Sequence, residues 1–266
     1  MSGVESARAW SASRTYLALD TSTPRGSVCV GVGSRVVAQR VIEGQGSHSS
    51  DLIPAIGGVL LEARADLSEI AGIVVGAGPG SFTGVRVAAA TAKGLAHALD
   101  IPLWAVSSLE AAAAAMDVDH SEPLSDEERA CPRYVLFDAR SDRVYGACYR
   151  PTGSGFEVLI PPHSTTIGAV LSEGVPFPDG VPCPDGVPVS VFVGDGAQRH
   201  ADEIRGAGFT LLPAPFGVPD AAGLLKVVAD SPACGPVEEV ARWQPDYLRS
   251  SSAQRSARPG ASAAGP

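Results

Sequence analysis

No run of eighteen apolar residues occurs anywhere in this 266-residue chain, and Met1 to Ser13 contains no apolar core of the kind a secretion signal needs. A membrane-spanning helix is therefore not expected, nor a signal peptide, and a cytoplasmic location is. Cysteine is scarce. Cys29, Cys131, Cys148, Cys183 and Cys234 are odd in number and never form a C-x-x-C pair, which disfavours a disulfide framework and a cysteine zinc site and leaves buried thiols. Positive charge is short too: 20 Lys and Arg against 29 Asp and Glu give −9. A chain so charged is not expected to hold a polyanion alone, so any nucleic-acid role needs a basic partner. Several catalytic signatures are missing. No Gly-Lys-Ser/Thr closes a phosphate loop, no Gly-x-Ser-x-Gly elbow surrounds Ser81, and His48, His97, His120, His163 and His200 include no i,i+4 pair for a metal.

What is present is a core and a glycine cluster. Hydrophobic residues make up 45% of the chain, enough for one large or two small globular domains. The segment Gly76-Ala77-Gly78-Pro79-Gly80-Ser81-Phe82-Thr83-Gly84-Val85-Arg86 follows a valine-rich run and opens into an alanine-rich one. It reads as strand, tight turn and helix N-terminus. Its amides suit either an anion or the close approach of another chain. The glycines at 76, 78, 80 and 84 do not have dinucleotide-fingerprint spacing, and Asp100 follows a helix where that fingerprint places its acid after a second strand.

The pattern along the chain predicts a duplication. Tyr16 to Asp20, Ser27 to Val32 and Arg35 to Ile42 read as a three-stranded meander, followed by an amphipathic helix over Asp51 to Ala63. A strand over Ile70 to Gly76, a small-residue helix over Val85 to Leu99, a short strand over Pro102 to Val106 and a helix from Ser107 to Met116 complete a first unit. Tyr134 to Asp138, Arg143 to Tyr149 and Phe156 to Ile160 repeat the meander with an aspartate at the same place, and Val189 to Gly194 is a further strand. The expected organisation is a flexible tail at 1–13, a first domain at 14–116, an exposed acidic connection at 117–131, a second domain at 132–249 with a Pro-rich surface loop at 174–188, and a flexible tail at 250–266.

A strand, an Asp-Thr-Ser-Thr turn and a hairpin, repeated in a second domain, is the layout of the actin, sugar-kinase and heat-shock ATPase superfamily. The expected fold is thus α/β, with duplicated actin-like ATPase (ASKHA, ribonuclease H-like) domains, the second reduced. Asp20, Thr21, Ser22 and Thr23 form the candidate phosphate turn, vestigial in one reading. The alternative for Asp20 is an aspartate closing a turn on its own backbone. The second hairpin, Asp138 to Asp142, lacks the glycines a phosphate would need and has Ser141 as its one hydroxyl.

At these residues the chain resembles the bacterial TsaB (YeaZ) family. The shared features are Leu19 to Thr23, His48 to Pro54, Val75 to Arg86, Gly94-Leu95-Ala96, Ile101-Pro102 and Val106 to Glu110, then Leu136 to Arg140, Gly194 to Ala197 and the closing Pro245 to Arg249. The resemblance implies a non-catalytic subunit of the machinery that installs threonylcarbamoyl on N6 of adenosine 37 in ANN-decoding tRNAs. It implies pairing with the paralogue TsaD as a heterodimer, TsaE joining as a ternary complex, tRNA contacted only through the complex, and a homodimer when alone. ATP with Mg²⁺ and the metal are expected on TsaE and TsaD, with no cofactor in this chain. The histidine pair that holds metal in TsaD falls here on Ser108 and Ala112, which supply no imidazole. The helices beginning at Asp51 and Val85 could form half of a four-helix contact. The expected partner-interface residues are His48, Leu52, Ile56, Leu60, Phe82, Val85, Arg86, Ala89 and Lys93. Competing readings are a small-molecule kinase or ATPase using Asp20 and Asp138, and a metallopeptidase, which the missing histidine pair disfavours.

Overall fold

The computed structural model describes residues 9–44, 48–118, 124–172, 191–231 and 234–248. Most of both tails, the Pro-rich loop at 174–188 and Cys183 lie outside them.

The predicted meander is present as β1 (Thr15–Asp20), β2 (Arg25–Val32) and β3 (Arg35–Glu43). Then come α1 (His48–Ala63), β4 (Ile70–Gly76), α2 (Phe82–Leu99), β5 (Leu103–Val106) and α3 (Ser108–Ala115). The five strands form one sheet in the order β3-β2-β1-β4-β5, with β1 to β3 antiparallel and β4 and β5 parallel to β1. Helix α2 begins three residues earlier than Val85, because the Ser81 hydroxyl accepts the Gly84 N–H and caps it.

After α4 (Asp126–Ala130), the strands β6 (Arg133–Asp138), β7 (Arg143–Thr152) and β8 (Gly155–Thr166) repeat the meander. They are followed by α5 (Ile167–Ser172), β9 (Val191–Val193), α6 (Asp195–Arg199), α7 (Ala201–Gly206) and β10 (Thr210–Leu211). This sheet runs β10-β9-β6-β7-β8, so its strands follow the same order as the first, third to fifth, with β9 and β10 only three and two residues long. Two copies of one unusual topology, the second pared down, make this a duplicated actin-like ATPase fold.

Strand alternation sorts the first core. Leu17 and Leu19 face α1 and α2, while Tyr16 and Ala18 face the opposite layer. That layer is α8 (Ala221–Asp230), whose Leu224, Leu225, Val227 and Val228 pack with Val74 and Trp104. The expected second domain extends to 249, whereas residues 221–231 and 234–248 pack on the first sheet and its helices. After α8 a strap crosses the edge of β5, where Val237 N–H donates to Leu103 O at 2.7 Å, and its Val237, Val240 and Trp243 join the α1/α2 core. Helix α3 is buried between the sheets at every position but Glu110: Ala111 and Ala114 face α8, and Leu109, Ala112 and Ala113 face the second sheet.

The acidic connection is not simply exposed. Asp117 makes a two-pronged ion pair with the fully buried Arg133, at 2.5 and 2.9 Å, and Arg133 also donates to Ala113 O and Arg129 O. An arginine starting a central strand needs such partners, since an unpaired buried charge is strongly destabilising.

Candidate functional site

Strand β1 delivers Asp20 to the first hairpin, and the structure closes that hairpin completely. Asp20 is 0% exposed, its Oδ1 accepting Ser22 N–H and its Oδ2 accepting the Ser108 hydroxyl, both at 2.6 Å. The Ser108 hydroxyl in turn accepts Gly78 N–H at 3.1 Å. Burial pushes the Asp20 carboxyl above its ordinary range, against the opposing pull of these hydrogen bonds. Thr21 donates its hydroxyl to Gly84 O at 2.7 Å, and Thr23 donates to Arg25 O at 2.9 Å.

The glycine turn serves the same closure. A Cβ on Gly76 would overlap the Asp20 carboxylate, one on Gly80 the Ser22 carbonyl, and one on Gly84 the Thr21 carbonyl. These glycines let the turn lie directly on the hairpin of the same chain, so the close approach seen here is internal and neither an anion nor another chain takes part in it. Ala77 N–H donates to Val106 O at 2.7 Å and Ser81 N–H to Ser22 O at 2.6 Å. A nucleotide phosphate needs free N–H groups aimed into a gap. The residues here do not fit one, because each amide named already has an internal acceptor.

The second hairpin is likewise satisfied from within. Asp138 accepts Arg140 N–H on Oδ1 at 2.8 Å, and its Oδ2 pairs with Arg199 at 2.7 Å. Asp195, at the start of α6, accepts the N–H groups of Asp138 and Gly196, and burial pushes its carboxyl up to about 6. Ser108 and Ala112 lie on α3 as buried residues, and no cluster of three metal-ligating side chains occurs among the described residues.

Among the expected interface residues, Leu52, Ile56, Val85 and Ala89 turn inward and belong to this chain's own core or its margin, and Leu60 is half-buried against it. Their apolar character therefore answers to the first sheet. The side chain of His48 lies outside the described residues. The outward row of α1 carries Ile53, 58% exposed, Gly57 and Leu61, 79% exposed, and Ala90 and Gly94 are exposed on α2. Ile53 and Leu61 are not among the expected interface residues, although their four-residue steps through Gly57 make a second stripe legible in the sequence.

Phe82 is 60% exposed, and the Arg86 guanidinium lies 3.6 Å from its ring centre. Arg86 Nε donates to the Tyr247 hydroxyl at 3.0 Å, and Lys93 Nζ donates to Ala241 O and Trp243 O at 2.9 Å each. Both basic residues thus hold the C-terminal strap, whose Asp246 N–H reaches Ala77 O at 2.9 Å. No helix of the described residues is long and apolar enough to cross a membrane.

Comparison with known proteins places this arrangement. Residues 37–190 match the family described as "TsaD: tRNA N6-adenosine threonylcarbamoyltransferase". The chain is 35% identical over 147 residues to the tRNA threonylcarbamoyladenosine biosynthesis protein TsaB of Bacillus subtilis, covering 55% of this chain and 60% of that protein. It is 28% identical over 233 residues to the protein of the same name from Escherichia coli, covering 88% of this chain and 94% of that one. The solved structure described as YeaZ from Pseudomonas aeruginosa matches with a TM-score of 0.68 at 28% identity, over 88% of this chain and all of that one.

Proposed function

This chain belongs to the family that TsaD typifies and, within it, to the TsaB (YeaZ) proteins, and from that premise we propose that it is a non-catalytic subunit in the biosynthesis of threonylcarbamoyladenosine in tRNA. It binds and activates the TsaD paralogue in the cytoplasm, with TsaE as third member, and meets tRNA only through that assembly. The observation that carries this reading is the closure of the first hairpin. The aspartate placed where actin-like ATPases orient metal or water is fully buried, and both its oxygens are taken by Ser22 and Ser108. An orienting carboxylate has to reach its metal or water.

The outward side of α1 and α2 supports the scaffold reading. A Cβ built on Gly57 or Gly94 would meet nothing within 4 Å, so the chain's own packing does not require either glycine. A glycine inside a helix is less favourable than alanine by about 0.8–1 kcal/mol. A partner helix lying close against this side, between Ile53 and Leu61, accounts for both positions. The isolated chain then pairs with a second copy through the same surface.

The test is reconstitution. TsaD is assayed for threonylcarbamoyl transfer to tRNA with and without this chain, and with the Asp20→Asn variant. The expected result is transfer that depends on the chain and is unaffected by Asp20→Asn. Equal transfer without the chain removes the proposal. Calorimetry of the isolated chain with ATP and Mg²⁺ separates the competing kinase or ATPase reading: heat abolished by Asp20→Asn would favour it.

A further inference from the structure

The strap meets the first turns of α2, where two of the expected interface residues, Phe82 and Arg86, lie. Arg86 is exposed, its guanidinium stacked on Phe82 at 3.6 Å and 5.4 Å from the centre of the Tyr247 ring, with Nε donating to the Tyr247 hydroxyl. Stacking and one hydrogen bond fix the plane of the group. No hydrogen bond of its two terminal nitrogens is present among the described residues, nor any ion pair of Arg86. The guanidinium is therefore a fork held in one orientation, and a planar fork suits a carboxylate taken with two parallel hydrogen bonds. Beside it lies a cavity of about 390 Å³ walled by Val85, Tyr145, Asp246, Tyr247 and Leu248, so that β7 of the second unit and the strap both contribute. Burial pushes the Asp246 carboxyl up, and its main-chain N–H is held by Ala77 O.

Resting on the proposed subunit role, we propose that Phe82, Arg86 and Tyr247 form the docking point for an acidic side chain of the partner protein, with an adjacent apolar partner residue entering the Val85/Tyr145/Leu248 cavity. Two arguments commit the site to protein. The chain's net charge of −9 opposes a nucleic-acid backbone, whereas a single carboxylate meets only the local cation. Exposed aromatics flanking an arginine also have the composition of an interface hot spot, and Phe82 and Arg86 lie on the helix that carries the outward Ala90 and Gly94. The strap is thus part of the contact surface, fixed there by Arg86 and Lys93.

The experiment measures the affinity of the full-length chain for TsaD by calorimetry at two salt concentrations, with Arg86→Ala, Arg86→Lys, Tyr247→Phe and Lys93→Met. Arg86→Ala is expected to weaken binding by about 30-fold or more and to flatten the salt dependence. Arg86→Lys should fall within about threefold of Arg86→Ala, because an ammonium keeps the charge and loses the fork. Tyr247→Phe should weaken binding by about three- to tenfold, and because Arg86 and Tyr247 also secure the strap, binding is compared at a temperature where the melting curve of each variant shows it fully folded. A Lys93→Met variant that weakens binding as much as Arg86→Ala would overturn the proposal, since it loosens the strap and leaves the fork. Arg86 variants that bind TsaD normally while the complex loses tRNA would overturn it too, as a nucleic-acid contact. Wild-type chain that does not bind TsaD at all negates the subunit role itself, an outcome distinct from unchanged binding by the variants.

Discussion

At the scale of single residues the consequences centre on two aspartates. Replacing Asp20 by Ala strands the Ser22 N–H and the Ser108 hydroxyl, each buried, at about 1–3 kcal/mol per group. Asp20→Asn keeps an acceptor for Ser22 and lowers stability by less, a ranking that urea denaturation reads directly. If Asp20→Ala were as stable as Asp20→Asn, the closed hairpin would not be held by these bonds. Asp195 titrates near 6 in the fold against its ordinary 3.8, because its charged form is desolvated. A raised acid contributes stability that is complete below about pH 4 and lost as pH rises through about 6. Asp195→Asn is therefore expected to match wild type near pH 4 and to exceed it above pH 7 by on the order of 2 kcal/mol. Melting curves across that range check the sign. The sequence identified Asp20 and offered two fates for it, a phosphate turn or a turn closed on its own backbone. It could not choose, because the deciding partner, Ser108, lies 88 residues away. Arg86 and Lys93 were undecidable for the same reason, their acceptors lying about 150 positions along the chain.

Among elements, glycines separate those the fold requires from those it tolerates. Gly84→Ala would drive a methyl into the Thr21 carbonyl, and Gly223→Ala would push α8 off the Ala111 carbonyl of α3. Each is expected to destabilise the chain by about 2 kcal/mol or more, since close-packed backbone cannot give way cheaply. Gly57→Ala and Gly94→Ala have open space and should stabilise the isolated chain by up to about 1 kcal/mol each. The same two changes should weaken association with TsaD. Thermal melts and binding titrations on the four variants test the contrast, which fails if all four behave alike. Periodicity made the meanders, α1 and α2 readable, because each has one apolar face. The length of β8 was not. The expected strand ends at Ile160, yet β8 is an edge strand, where the missing N–H of Pro161 and Pro162 need break no ladder bond, and it runs on to Thr166.

For the whole molecule, the exposed row Ile53–Gly57–Leu61 predicts concentration-dependent pairing of the isolated chain. The double variant Ile53→Asp, Leu61→Asp should sediment as a monomer with an undiminished melting temperature, because neither side chain supports the core. Dimerisation that survives this change would place the contact elsewhere. The duplication was legible because the first strand of each meander ends in aspartate. The domain limits were less so, since α8 carries apolar residues that could serve either sheet, and its packing against Tyr16, Val74 and Trp104 is what assigns it to the first.

That return of the chain end has a consequence for biosynthesis. A ribosome that has released the first 116 residues has made every strand of the first sheet, but the cover for Tyr16, Val74 and Trp104 is still more than a hundred codons away. Trp10 and α3 border that layer, but the surface that α8 covers must wait open, a natural client for a chaperone. A gene fragment encoding 14–116 should accordingly yield aggregate, and supplying 221–248 as a separate peptide should rescue its solubility.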